Sequence, residues 1–147
     1  MHPYSNDLLK RVIKAPKLYF FDTGLVAYLT KYNSPQILLN GAINGAILEN
    51  YVINEIRKNY LNLGEEPPLY YYRDKDLNEI DLIIISNGLL HPIEIKKTNN
   101  PNRAMAKSFS KLTSASLPMG KGAIICTKEE LSAIDKDLLI LPIWLIG

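Results

Sequence analysis

Cysteine is nearly missing from this sequence: Cys126 is the only one in 147 residues. An intrachain disulfide is thereby excluded, and the chain suits a reducing, cytoplasmic setting. Cys126 ends the apolar run Gly122-Ala123-Ile124-Ile125-Cys126 and reads as a small core residue. Long apolar runs are missing too. The best candidate, residues 138–146, falls well short of the roughly 20 residues a membrane helix needs, and Pro142 interrupts it. No cationic-then-apolar leader opens the chain, so the expectation is a soluble intracellular protein with no membrane partner. Net charge is small as well, and +2 does not announce nucleic-acid binding by itself. No Gly-x-x-x-x-Gly-Lys-Ser/Thr loop occurs, so ATP hydrolysis is not carried by these residues.

What is present is the composition of a folded protein, 47% hydrophobic and 22% charged, in a chain long enough for one domain and an appendage. Its most informative stretch is residues 79–97. Two apolar, β-branched runs flank Ser86-Asn87-Gly88, and an Asn-Gly pair between such runs is a strong hairpin signal. Side chains alternate along a strand, so Glu94 and Lys96 point one way while Ile93 and Ile95 point the other. By the same rule Asp81 shares a face with Glu79 and Ile83 on the neighbouring strand. An acid and a lysine set among isoleucines break the hydrophobic pattern, as happens where a site is built.

Before the hairpin, residues 41–60 carry Leu48, Val52 and Ile56 every fourth position, with Ile47 and Tyr51 beside them, the stripe of an amphipathic helix. Glu49 lies at its edge, where a solvated or ion-paired role is the commoner one. Near the start, Ser5-Asn6-Asp7 would cap a helix over residues 5–13, Leu18-Tyr19-Phe20-Phe21 reads as a strand, and Asp22 or Thr23 as the cap of a further helix. Leu69-Tyr70-Tyr71-Tyr72-Arg73 is a strand of good β-formers. After the hairpin, Pro101 is placed to begin a helix to about Ser116, burying Met105, Phe109 and Leu112. On it Arg103, Lys107 and Lys111 would form one basic stripe. Residues 96–121 hold six cations (Lys96, Lys97, Arg103, Lys107, Lys111, Lys121) and no carboxylate, a candidate phosphate-facing patch, with a plainly solvated helix the bland alternative. Residues 128–131 suggest a helical turn, and residues 138–145 a last strand pair or edge.

An Asp on one strand and a Glu on the next can converge on a hard divalent cation. A Lys two positions beyond the Glu would then stand beside the metal and hold or help deprotonate an attacking water. In this pattern the chain resembles the PD-(D/E)XK nuclease superfamily, with Asp81 at the first position and Glu94-Ile95-Lys96 at the second. Ile80 stands where the motif's Pro would be. Glu49 fits the acid that the superfamily often carries on the preceding helix. A second resemblance lies in Ala15-Pro16-Lys17-Leu18-Tyr19-Phe20-Phe21-Asp22-Thr23-Gly24-Leu25, followed by Gly45-Ala46-Ile47-Leu48-Glu49. This order is similar to the C-terminal domain attached to many bacterial and archaeal AAA-type P-loop ATPases.

These resemblances imply an α/β fold with a restriction-endonuclease-like core (helix-strand-strand-strand-helix-strand) and a central mixed sheet flanked by helices. They imply an N-terminal segment at 1–40 (helix, strand, helix) joining a P-loop ATPase part, and a nuclease-like domain at 41–147. The expected activity is metal-dependent cleavage of DNA phosphodiesters: Asp81 and Glu94 holding Mg²⁺ or Mn²⁺, Lys96 and Glu49 assisting, and Lys97, Arg103, Lys107 and Lys111 on the nucleic acid. The alternative is an inactive descendant of that fold, a tail that binds nucleic acid, docks protein, regulates the ATPase or mediates homo-oligomerisation.

Overall fold

The computed structural model describes residues 1–5, 15–32, 41 and 43–146. The helix expected over residues 5–13 lies outside these, apart from Ser5. At the hairpin, Asn87 and Gly88 both take positive φ, 51° and 74°, the two-residue turn whose twist matches that of the strands it joins. It connects β3 (Glu79–Ser86) to β4 (Leu89–Lys96), and around this pair the other elements assemble: β1 (His2–Pro3), α1 (Thr23–Leu29), α2 (Asn44–Asn62) and β2 (Leu69–Arg73) before it. After it come a 3₁₀ segment (Arg103–Leu112), β5 (Gly122–Cys126), β6 (Ser132–Asp135), β7 (Leu138–Pro142) and a 3₁₀ turn (Ile143–Leu145). The result is an α/β protein with one seven-stranded mixed sheet, ordered β1-β2-β3-β4-β5-β7-β6. β4, β5 and β7 run parallel, and antiparallel partners flank them.

Both faces of this sheet are covered, as the unbroken apolar runs of β5 and β7 require. Ala123 and Ile125 meet Val52, Ile53 and Ile56 of α2, together with Leu82, Ile93 and Ile95. Ile124, Cys126, Leu138 and Ile140 face the other way, onto Ala106, Phe109 and Leu112. Cys126 is fully buried, a core residue as its sequence context suggested. Among the described residues no helix is long and apolar enough to cross a membrane.

Four local expectations are corrected. Residues 103–112 form a 3₁₀ segment and not a helix from Pro101 to Ser116; Asn102 caps it, and Ala106 departs from helical geometry at φ −97°, ψ 15°. The Ser110 hydroxyl donates to the Lys107 carbonyl and the Thr113 hydroxyl to that of Ser110, local bonds that compete with the α-helical ladder. Ala106, Phe109 and Leu112 are therefore buried at every third residue, the 3₁₀ period. Residues 128–131 make no helical turn, and the strand β6 that follows was not anticipated. β7 is an interior strand between β5 and β6, with Pro142 at its last position, where a missing N–H does least harm.

The fourth correction matters for the site. Residues 18–21 form no strand. Their backbone partners are side chains of α2: Asn50 Oδ1 accepts from the Phe20 N–H at 2.7 Å, and Asn50 Nδ2 donates to the Phe20 carbonyl at 2.8 Å. Asn54 donates to the same carbonyl. Tyr71 fastens the preceding residues, its hydroxyl donating to the Ala15 carbonyl at 2.7 Å. Lys17 exchanges two backbone hydrogen bonds with Met1. Beyond this strap Asp22 caps α1, as its position suggested, by accepting from the Gly24 and Leu25 amides.

Asn50 is buried and makes both its bonds to one residue, so Asn50→Ala should leave the Phe20 N–H unpaired. The expected loss of stability is about 1–3 kcal/mol in urea unfolding. An exposed change such as Asn99→Ala should cost less than about 0.5 kcal/mol.

Candidate functional site

β3 and β4 pair from Ser86↔Leu89 down to Leu82↔Ile93, and there their pairing ends. Beyond that point Ile80 and Glu79 pair outward with Tyr72 and Arg73 of β2. Glu94, Ile95 and Lys96 pair the other way, with Ile124, Ile125 and Cys126 of β5. The sheet therefore parts between its two central strands, and Asp81 stands at the parting. Its Oδ2 accepts from the Ile95 N–H at 2.8 Å, so a side chain does what a backbone carbonyl would do in an unbroken ladder. The register of β3 against β2 also slips here, between Tyr70↔Ile83 and Tyr72↔Ile80. Ile80 and Ile83 consequently join the same core cluster, and strict alternation does not carry from Asp81 to Ile83 as the sequence pattern suggested.

Three expected residues meet in this gap. The Lys96 ammonium lies 3.1 Å from Asp81 Oδ2 and 2.7 Å from Glu94 Oε2. Ile93 and Ile95 pack in the α2-side cluster, which leaves Glu94 and Lys96 on the opposite face of β4. Asp81 and Glu94 are both buried, Glu94 to 4% exposure. Burial, reinforced by the negative charge of Asp81, raises the Glu94 carboxyl to about 7 despite its contact with Lys96. Burial works against the Lys96 ammonium, but the charges of Asp81 and Glu94 outweigh it and its pKa is raised. Lys96 is thus a charged donor at neutral pH and not a free base.

Glu49 does not join them directly. Its Oε1 accepts from Lys17 Nζ at 3.1 Å and from the Tyr19 hydroxyl at 2.6 Å, and Lys17 also pairs with Glu79. A second charged cluster, Lys17, Tyr19, Glu49 and Glu79, thus adjoins the first through β3. Among the described residues no group of three or more His, Cys, Asp or Glu side chains is arranged to hold a metal ion. Lys17 and Tyr19 were not singled out as site residues from the sequence. The available signal was their spacing, since polar groups two apart in an extended run share one side.

Of the basic residues, Arg103 and Lys107 line one groove, beside Phe109 and Leu138. Arg103 is ion-paired with Asp135 of β6, whose Oδ1 also accepts from the Asp137 and Leu138 amides. Lys107 and Lys111 are exposed. Lys97 is exposed on the other side of the sheet, in a groove of about 320 Å³ lined by Thr23, Ile47, Leu48, Tyr51 and Thr127.

The Glu94 carboxyl supplies a pH test. Because its folded value is raised from 4.5 to about 7, its contribution to stability is present below pH 4.5 and is lost as pH rises through 7. Glu94→Gln removes that dependence. Relative to wild type, the variant should gain on the order of 2–3 kcal/mol between about pH 4.5 and 8, read from urea unfolding across that range.

Comparison with known proteins places the chain. Residues 44–146 match the model of a family described as Domain of unknown function (DUF4143), found in AAA-ATPase-associated proteins. Two curated relatives, "Uncharacterized protein Mb2031c" of Mycobacterium bovis and "Uncharacterized protein Rv2008c" of Mycobacterium tuberculosis, are each 31% identical over 117 residues. That is 78% of this chain and 26% of either relative, so the chain spans about a quarter of their length. No solved structure matches. With the family model matching most of its length, from α2 to the 3₁₀ turn after β7, the chain belongs to the DUF4143 family.

Proposed function

We infer that this domain is a nuclease-like module of the PD-(D/E)XK type, acting with Mg²⁺ or Mn²⁺ on DNA phosphodiesters and working as part of an ATPase-associated protein. One observation carries the reading: Asp81, Glu94 and Lys96 meet where β3 and β4 part. The sequence order around the site supports a restriction-endonuclease-like core, namely α2, three antiparallel strands, the 3₁₀ segment and then β5 parallel to β4.

The donor set fits a hard divalent cation. Two carboxylates share one pocket, where burial first and then the Asp81 charge raise the Glu94 carboxyl, and a bound cation would favour its charged form. Asp81 and Glu94 would hold it, and when bound it would supply charge stabilisation for the phosphate oxygens. Lys96, kept protonated, positions an attacking water and donates to a phosphate oxygen. The Ile95 N–H fixes the Asp81 carboxylate without spending a side chain on it. Lys107 and Lys111 contribute backbone contacts; Arg103 is engaged by Asp135 and contributes less.

A second reading is a non-catalytic module that binds nucleic acid or docks protein for its ATPase part or in self-association. It is favoured by Lys96 already pairing with both carboxylates and by Glu49 being held elsewhere.

Under the first reading, Mg²⁺- or Mn²⁺-dependent cleavage of single- or double-stranded DNA should fall roughly 100-fold or more in Asp81→Ala and in Lys96→Ala. Cleavage that persists in the double variant rejects the assignment. Wild-type protein that retains DNA but gives no Mn²⁺ heat in calorimetry up to about millimolar metal selects the second reading.

A further inference from the structure

We propose that α1 is a self-association surface: two copies of this chain pair about a twofold axis with their α1 helices antiparallel, the apolar crest of each seated in a groove beside the other. The inference stands apart from the metal-site reading and holds whether or not the site cuts.

The first observation is which side of α1 is apolar. On one side Thr23, Val26 and Thr30 line a groove of about 400 Å³ together with Leu18, Phe20 and Ile47. On the other, Gly24 and Ala27 line the groove of about 320 Å³ shared with Ile47, Leu48 and Tyr51. What remains is the crest, Leu25, Tyr28 and Leu29, all exposed. Their spacing of i, i+3, i+4 is the one by which a helix presents an apolar stripe to a core. Here the stripe is open to solvent, and no residue of α1 is buried.

The second is area. Tyr28 is 76% and Leu29 62% exposed, and Leu18, Phe20 and Phe21 lie open on the segment that leads into α1. Leu18 and Phe20 share a groove with α1, and Leu18 shares a further one with Phe21, so the surface is continuous. Its side chains leave on the order of 800 Å² of largely apolar area uncovered. The largest patch on a typical monomer is roughly 300–600 Å², and a standard interface takes about 800 Å² from each partner.

The third is charge, and it selects a second copy. The crest carries no charged side chain, so no like charges meet at the axis. Asp22 caps one end of α1. Lys31 follows the other end, where its φ of 60° and its N–H donated to the Tyr28 carbonyl close the helix. Both are exposed. Antiparallel pairing brings Asp22 of each copy toward the partner's Lys31, whereas parallel pairing would set like charge against like. A surface with crest and groove side by side and opposite charges at its two ends is complementary to itself, as a twofold contact requires.

Sedimentation velocity on the full chain tests the pairing. The chain should run as a dimer at about 100 µM and dissociate on dilution. Y28E/L29E should raise Kd roughly 100-fold or more. Lys31→Glu should raise it roughly threefold to tenfold at low salt, an effect that shrinks in about 1 M salt. Leu131→Asp, at an exposed apolar residue beside β6, should leave it unchanged. A chain still monomeric at about 500 µM overturns the proposal and leaves the crest to a different protein. A dimer that survives Y28E/L29E, or that Leu131→Asp dissociates as fully, overturns it too. Lys31→Glu pairing as tightly as wild type at low salt excludes the antiparallel arrangement and the proposal with it. Should the double variant lose the circular dichroism of the wild type, Leu29→Ser alone should weaken pairing about tenfold, and an unchanged Kd there is equally decisive against it.

Discussion

One ammonium between two buried carboxylates sets the form of the centre of this protein. Two adjacent antiparallel strands gain most by pairing along their full length, yet β3 and β4 stop at Leu82↔Ile93. The backbone groups beyond would be left without partners unless something replaced the ladder. Outer strands take up part of the load, β2 against Glu79 and Ile80, β5 against residues 94–96. Asp81 supplies the rest by accepting the Ile95 N–H. That places a negative charge beside Glu94, and Lys96 makes the arrangement tolerable. Removing Lys96 would leave two buried carboxylates uncompensated, whereas removing one carboxylate leaves the other paired with Lys96.

The two sheet faces are not equivalent around this centre. α2 brings ion-paired and amide groups to its side, Glu49 at one level and Asn50 and Asn54 further along, and these hold a segment that has no strand partner. The 3₁₀ segment brings apolar side chains at every third position to the other side, with its lysines outward. The α2 face thus combines an apolar cluster, against which Tyr19 packs, with the polar contacts that hold residues 15–20.

Much of this was legible in the residues. The hairpin was, because only a few dipeptides accept two successive positive φ values. The pairing of Glu94 with Lys96 followed from alternation within one regular strand. What failed was every inference that extended a period across an irregularity. Asp81 and Ile83 lie on either side of a register slip, and no residue type announces one. The helix expected from Pro101 to Ser116 is a 3₁₀ segment, because local hydroxyl bonds compete with the α-helical ladder. Residues 18–21 have strand composition but lack a strand partner, since two asparagines on α2 bind the Phe20 backbone instead. Asn50 and Asn54 stand four apart beside the apolar positions of α2, and that was the signal of a buried polar contract with a distant segment.

The balance of charge at the centre argues for what it does. Four carboxylates, those of Glu49, Glu79, Asp81 and Glu94, are gathered around two ammoniums, those of Lys17 and Lys96, in a chain whose overall charge is positive. A phosphodiester approaching such a place meets repulsion, and the Glu94 carboxyl, raised first by burial and then by the Asp81 charge, feels part of the same repulsion from within. A structural ion-pair network would be better served by equal numbers, with each acid given its own base. An excess of acid in a partly buried gap is sensible where a further cation completes it, and hard oxygen donors favour a divalent metal over another amine. On the inferred reading the centre therefore repels its substrate until the metal is present, which makes metal loading the step at which cleavage is committed.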